Sequence, residues 1–219
     1  MYLSRLILDP TDRHARRDLA DIYQLHRSVM SGFAAQLPAE ERVLFRLDED
    51  GGGRPLLLVQ SQTAPDWGEL PAGYLLAADP FDPLPNPAVK QVAPVFRAGQ
   101  WLRFRLRANP TVKKPAEDGG QGRRVAIVRE DAQLAWLGRK GVAGGFCFDE
   151  TAVRVAEPGR AFGLTRADAG GGRHRVELHA VQFDGVLQVT DAECFAATVR
   201  AGVGSGKGFG CGLLSVAPA

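Results

Sequence analysis

The chain is too poor in cysteine to be held together by disulfides. Cys147, Cys194 and Cys211 are the only three in 219 residues, and no two stand at CxxC spacing. Neither a disulfide framework nor a zinc site is expected from them. Long apolar runs are also missing. Nothing approaches the roughly 18 residues that a membrane-spanning helix needs. The opening MYLSRLILDP carries Arg5 inside its apolar stretch. It lacks the charged start, long apolar core and small-residue cleavage site of a secretory signal. A cytoplasmic protein without membrane contact is therefore expected. A strong charge of either sign is absent too, since the formal net charge is only +2.

What is present is a core and a particular kind of base. Hydrophobic residues make up 45%, enough for one large domain or two small ones. Lysine occurs five times, which leaves 22 of the 27 basic residues to arginine. A GC-rich genome favours that choice, and the planar guanidinium also suits phosphate oxygens and base edges. Between Arg97 and Arg129 the positive charge is opposed only by Glu117 and Asp118. A modest total charge with one basic stripe fits a nucleic-acid binder.

The order of patterns predicts an α+β fold made of two tandem ferredoxin-like units, RRM-like βαββαβ repeats, at 1–90 and 91–219. In the first, YLSRLIL reads as a strand, and Thr11 or Asp12 caps one long helix to about Phe33. RVLFRLDED and PLLLVQSQ form a hairpin across Gly51–Gly53, Pro65–Trp67 opens a short helix, and GYLLAA returns as a strand. The proline-rich stretch 80–94 reads as a linker. In the second, WLRFRLRANP is a strand and Asp131 caps a helix to about Arg139. GGFCF and TAVRVA are short strands, and two more flank a turn at Asp184–Gly185. Asp191 caps the last helix, and GLLSVA closes the chain.

On a helical wheel Leu19, Ile22, Val29, Met30 and Phe33 share one apolar arc. His26 falls inside it and Tyr23 at its edge, with Arg16 and Arg27 just beyond. Asp21, Gln24 and Ser28 take the solvated side. Two readings stand. His26 is a buried core histidine beside an ordinary tyrosine, or this edge lines a cleft. A histidine near its unperturbed pKa of about 6.5 exchanges protons at physiological pH, and flanking arginines attract a phosphate.

The tail GVGSGKGFGCG at 202–212 contains GxGxxG spacing. It follows a helix and leads into a strand, the reverse of a dinucleotide fingerprint. Lys207 is followed by Gly208, so it is no P-loop either. A nucleotide-dependent enzyme is thus disfavoured. A flexible connection and a cradle for an RNA backbone, made by Gly204, Gly206, Lys207 and Gly208, remain as readings.

Taken together, MYLSRLILDP with RHARRDLADIYQLHRSV, PDW at 65–67, LRFRLRANP at 102–110 and GVGSGKGFGCGLLSVAP resemble the CasE family. These are repeat-RNA endoribonucleases of the type I-E CRISPR system, within the RAMP superfamily. The resemblance implies tandem ferredoxin-like domains and cleavage of precursor CRISPR RNA beside a repeat hairpin. It implies 2′-hydroxyl attack without metal or other cofactor, giving a 2′,3′-cyclic phosphate and a 5′-hydroxyl. It further implies that product is retained among the other subunits of the surveillance complex (Cascade), with no direct DNA contact. The family's catalytic tyrosine and histidine fall on Tyr23 and His26. Where relatives carry a lysine about one turn beyond the histidine, this chain has Ser28, Met30 and Ser31, so Arg27 or Lys207 would have to supply the charge. Candidate RNA contacts are Arg13, Arg16, Arg17, Arg27, Arg103, Arg105, Arg107, Lys113, Lys114, Arg123, Arg124 and Arg160. Arg103, Arg105 and Arg107 alternate and so share one strand face; the other reading of that face is a solvated one. A non-catalytic RNA-binding RAMP subunit is the alternative function.

Overall fold

The computed structural model describes residues 1–114, 123–157, 160–166 and 173–219, with backbone alone for 160–166 and 173–177. It is an α+β protein in two compact units. The first comprises 1–93, 161–177 and 207–210, the second 94–160, 178–206 and 211–219.

The first unit begins with β1 (Tyr2–Ile7), followed by α1 (Arg13–Ala20) and α2 (Ile22–Ser31). β2 (Leu44–Glu49), β3 (Pro55–Ser61) and β4 (Ala88–Gln91) complete an antiparallel sheet of order β2-β3-β1-β4. Leu6, Leu8, Leu25, Val29, Phe45, Leu57, Trp67 and Tyr74 form its core. The Trp67 indole N–H donates to Ser4 Oγ at 3.0 Å, which settles the one polar atom that this ring buries.

Two expectations fail here. The expected single helix is broken at Asp21, whose extended backbone (φ −137°, ψ 104°) ends α1 while its carboxylate accepts from Tyr23 N–H and caps α2. An aspartate in the middle of an amphipathic run thus behaves as a cap. The fourth strand is not GYLLAA but 88–91, inside the expected linker. Tyr74 folds into the core after a turn closed by its N–H on Pro71 O, and only Leu75 makes a bridge, to Leu8. Val89 and its neighbours take the open edge of β1 instead.

The second unit carries β5 (Trp101–Ala108), β6 (Thr111–Lys114), β7 (Arg123–Ala126), α3 (Glu130–Gly144), β8 (Phe146–Cys147) and β9 (Val153–Ala156). β10 (Arg160–Arg166) and β11 (Arg173–His179), which lie mostly in the first unit, pair as a two-stranded ribbon. β12 (Val181–Val189), α4 (Ala192–Ala201) and β13 (Leu214–Pro218) follow. The main sheet has the order β13-β5-β12-β8, with β9 also on β12, and β6 pairs with β7 separately. Leu102, Phe104, Leu106 and Ala108 are buried, while Arg103 and Arg105 on the alternate face are exposed.

Asp184–Gly185 is not a turn. It lies in the middle of β12, with Gly185 opposite both Phe104 and Val153. A Cβ there would stand 2.5 Å from Ala152 O, so the glycine serves close strand approach. The expected helix at Asp131 starts one residue earlier and runs to Gly144; Asp131 pairs with Arg129 rather than capping. α4 begins as expected, with Asp191 accepting from Cys194 N–H at 2.9 Å. Among the described residues, no helix is long and apolar enough to cross a membrane.

Candidate active site

α2 presents its candidate residues through a few local rules. Asp21 fixes its start, and the fully buried Leu25 and Val29 turn one side into the core of the first unit. The wheel omitted Leu25, and including it moves the centre of the buried arc away from His26. His26 is therefore half-buried at the rim instead of deep inside. Tyr23 lies three residues before it on the helix, where side chains are neighbours. Ser28 is not on a solvated face, because its hydroxyl reaches the buried Asp18.

The His26 ring stacks on Phe45 at 6.3 Å and faces Phe209 at 6.4 Å between centroids. Burial holds its pKa below the ordinary histidine value. The imidazole is thus largely neutral at pH 7 and able to accept a proton. Neither aromatic neighbour stands out in the sequence, where Phe45 sits in a strand pattern and Phe209 in the glycine tail.

The tail divides. Lys207–Phe209 forms one short 3₁₀ turn that packs on α2 and β2 in the first unit. A Cβ on Gly208 would stand 3.6 Å from His26 Cε1 and 3.8 Å from Nδ1. A methyl group at this position would thus make ordinary van der Waals contact with the imidazole. Gly204 and Gly206 belong to the second unit, both with positive φ. At Gly204 a Cβ would meet Trp136 at 2.9 Å, so packing alone requires glycine. Cys211 is buried, which pushes its thiol up to about 11 and leaves it protonated at neutral pH.

Arg13, Arg16 and Arg17 are exposed on α1, and Arg27 is exposed on α2. Arg17 is also engaged with Asp18 at 2.7 Å. In the second unit, Arg103, Arg105 and Arg154 border a shallow groove with Asp184 and Ser215. Arg105 pairs with Asp184 at 2.6 Å, and Arg103 donates to Pro218 O. Arg107 is half-buried on the same strand face. Lys113 lies opposite Arg124, and Lys114 opposite Arg123, all four exposed. Arg160 opens β10, and its side chain lies outside the described residues. Among the described residues, no group of three or more His, Cys, Asp or Glu could hold a metal ion.

A family model described as CRISPR associated protein matches residues 1–218. The chain belongs to the CasE family of CRISPR-associated proteins. It is 39% identical to the CRISPR-associated endoribonuclease Cse3 of Thermus thermophilus, with all of both chains covered. It is 31% identical to the Cascade subunit CasE of Escherichia coli K12, again over both full lengths. A structure of Cse3 bound to a 19-nt RNA is similar with a TM-score of 0.78 at 38% identity, covering 99% of each chain. On α2 stand the candidates Tyr23 and His26, with Lys207–Phe209 of the terminal glycine block packed on that helix.

Proposed function

We propose that this protein binds the hairpin of CRISPR repeat RNA and cleaves the precursor beside it, by metal-independent 2′-hydroxyl attack. The observation that carries this reading is the full-length similarity to an endoribonuclease whose structure was solved with RNA. The site fits the chemistry. Attack of the 2′-oxygen on the adjacent phosphorus requires a proton to leave that oxygen and another to reach the departing 5′-oxygen. The largely neutral His26 accepts a proton at pH 7. A phosphate bound beside it raises the pKa again and lets the same ring donate. Tyr23 is the partner in proton transfer. Arg27 or Lys207 is the cation assigned to the charge that builds on the phosphorane.

We read the chain as two ferredoxin-like domains, 1–90 and 91–219, with 161–177 and 207–210 of the second packing in the first compact unit. The antiparallel order β2-β3-β1-β4 supports this for the first, with the second helix reduced to the turn Trp67–Glu69. The RNA-binding surface comprises the exposed bases of α1, the outer face of β5, the β6–β7 ribbon, Arg160, and the glycine tail. The E. coli relative's place as a Cascade subunit supports a similar assembly for this chain. We assign the protein to the cytoplasm, with no cofactor and no direct DNA contact.

The test is incubation with hairpin repeat RNA in excess EDTA. Cleavage to a 2′,3′-cyclic phosphate and a 5′-hydroxyl supports the proposal. Tight binding without cleavage, with and without added divalent metal, reduces the chain to an RNA-binding subunit.

A further inference from the structure

We propose that Asp18 and Ser28 position the cleavage site: the Asp18 carboxylate clamps α2 through the Ser28 hydroxyl and so fixes the rotation of the helix carrying Tyr23 and His26. The inference rests on those last two residues being the site.

Asp18 is a charged side chain with 1% exposure, at the last turn of α1. Its Oδ2 accepts from Ser28 Oγ at 2.5 Å and from Tyr74 OH at 2.8 Å. Its Oδ1 accepts from Arg17 Nε at 2.8 Å. Burial, with the adjacent carboxylate, holds the Tyr74 hydroxyl far above the usual tyrosine range, so it stays a donor. An apolar residue here would fill the same space without the desolvation cost of a carboxylate. What the carboxylate adds is direction.

That direction is needed because α1 and α2 are separate helices. The break at Asp21 interrupts the hydrogen-bond ladder, so α2 does not inherit its orientation from α1. Leu25 and Val29 turn one side of α2 onto the core, but apolar contact is non-directional and leaves the fine rotation about the helix axis to a directional bond. Ser28 supplies that bond; it follows His26 by two residues and lies on nearly the opposite side of the helix. With side-chain tips carried about 6 Å from the axis, a rotation of about 20° moves His26 by roughly 2 Å. A misplacement of about 1 Å at a reacting centre can cost on the order of 10²-fold in rate.

The experiment compares Ser28→Ala, Ser28→Thr and His26→Ala on one hairpin RNA. Single-turnover rate and Kd are measured well below each variant's Tm, so that global unfolding does not enter. Ser28→Ala is expected to bind within about threefold of wild type yet to cut roughly 10–100-fold slower. Ser28→Thr, which keeps the hydroxyl, is expected to recover most of the rate. Ser28→Ala cutting at the wild-type rate while His26→Ala is inactive overturns the positioning role alone. Parallel losses in Ser28→Ala and Ser28→Thr also overturn it, because they assign the effect to packing. His26→Ala cutting normally overturns the site reading itself, and this inference with it.

Discussion

The role proposed for His26 suits a ring that is only half covered. Phe45 and Phe209 strip enough water from the ring to lower its pKa, while the rim position leaves it reachable. The folded state therefore holds fewer protons on this ring than the unfolded chain, between the lowered value and about 6.5. Stability rises with pH through that window and is lost as the solution is acidified through it. Urea unfolding at pH 5 and pH 7.5 should show a larger acid loss in wild type than in His26→Gln. In cleavage, His26→Ala is expected to lose about 10²–10⁴-fold in single-turnover rate with RNA affinity within a few-fold. Wild-type cleavage by that variant would remove His26 from the mechanism. At this scale the sequence offered Tyr23 and His26 as candidates through the family pattern, and did not offer Asp18. The signal was nevertheless there, because Asp18 stands three residues after the buried Ala15 and so shares its helix face. A carboxylate on an apolar face asks for a buried partner.

At the scale of elements, two basic surfaces differ in how free their charge is. The outer face of β5 carries Arg103, Arg105 and Arg107, but Asp184 across the strand already neutralises part of Arg105. Changing the three arginines to Ala should flatten the dependence of log K on log salt by roughly 0.7–0.9 for each phosphate no longer neutralised. Arg105→Ala alone should alter it little. An unchanged slope in the triple variant would leave the face merely solvated. The β6–β7 ribbon is the sharper case, because Lys113–Arg124 and Lys114–Arg123 set like charges directly opposite one another. Such like-charge pairs destabilise a ribbon slightly. The double variant Lys113→Ser, Arg124→Ser is thus expected to melt at the same temperature or higher while binding RNA more weakly, with a smaller salt slope. Equal affinity at low salt would exclude the ribbon from the interface. Alternation made β5 readable from sequence, whereas the break at Asp21 was hidden by amphipathic periodicity that continues across it. β4 was hidden by the prolines around it.

At the scale of the whole chain, what the sequence could not show is which distant segments meet. His26 and Gly208 are far apart along the chain, yet the first unit takes in 207–210 between stretches that belong to the second. Spacing within the tail marks all its glycines alike, and only the fold separates their duties. Gly206 has φ +79°, so any side chain strains the backbone there. Gly208 is not among the positive-φ glycines, and a methyl group on it would make ordinary contact with His26. The two positions should therefore fail differently. Gly206→Val is expected to lower Tm and to weaken RNA binding through the distorted loop. Gly208→Ala is expected to keep its Tm and circular dichroism while slowing cleavage, because the added methyl occupies space that the proposed site gives to RNA backbone beside the imidazole. Measuring Tm, Kd and single-turnover rate for both variants separates the cases. A Gly208→Ala protein that folds, binds and cuts as wild type would make this loop a wall of the site with no RNA against it, leaving the phosphate contacts to the basic strands and α1.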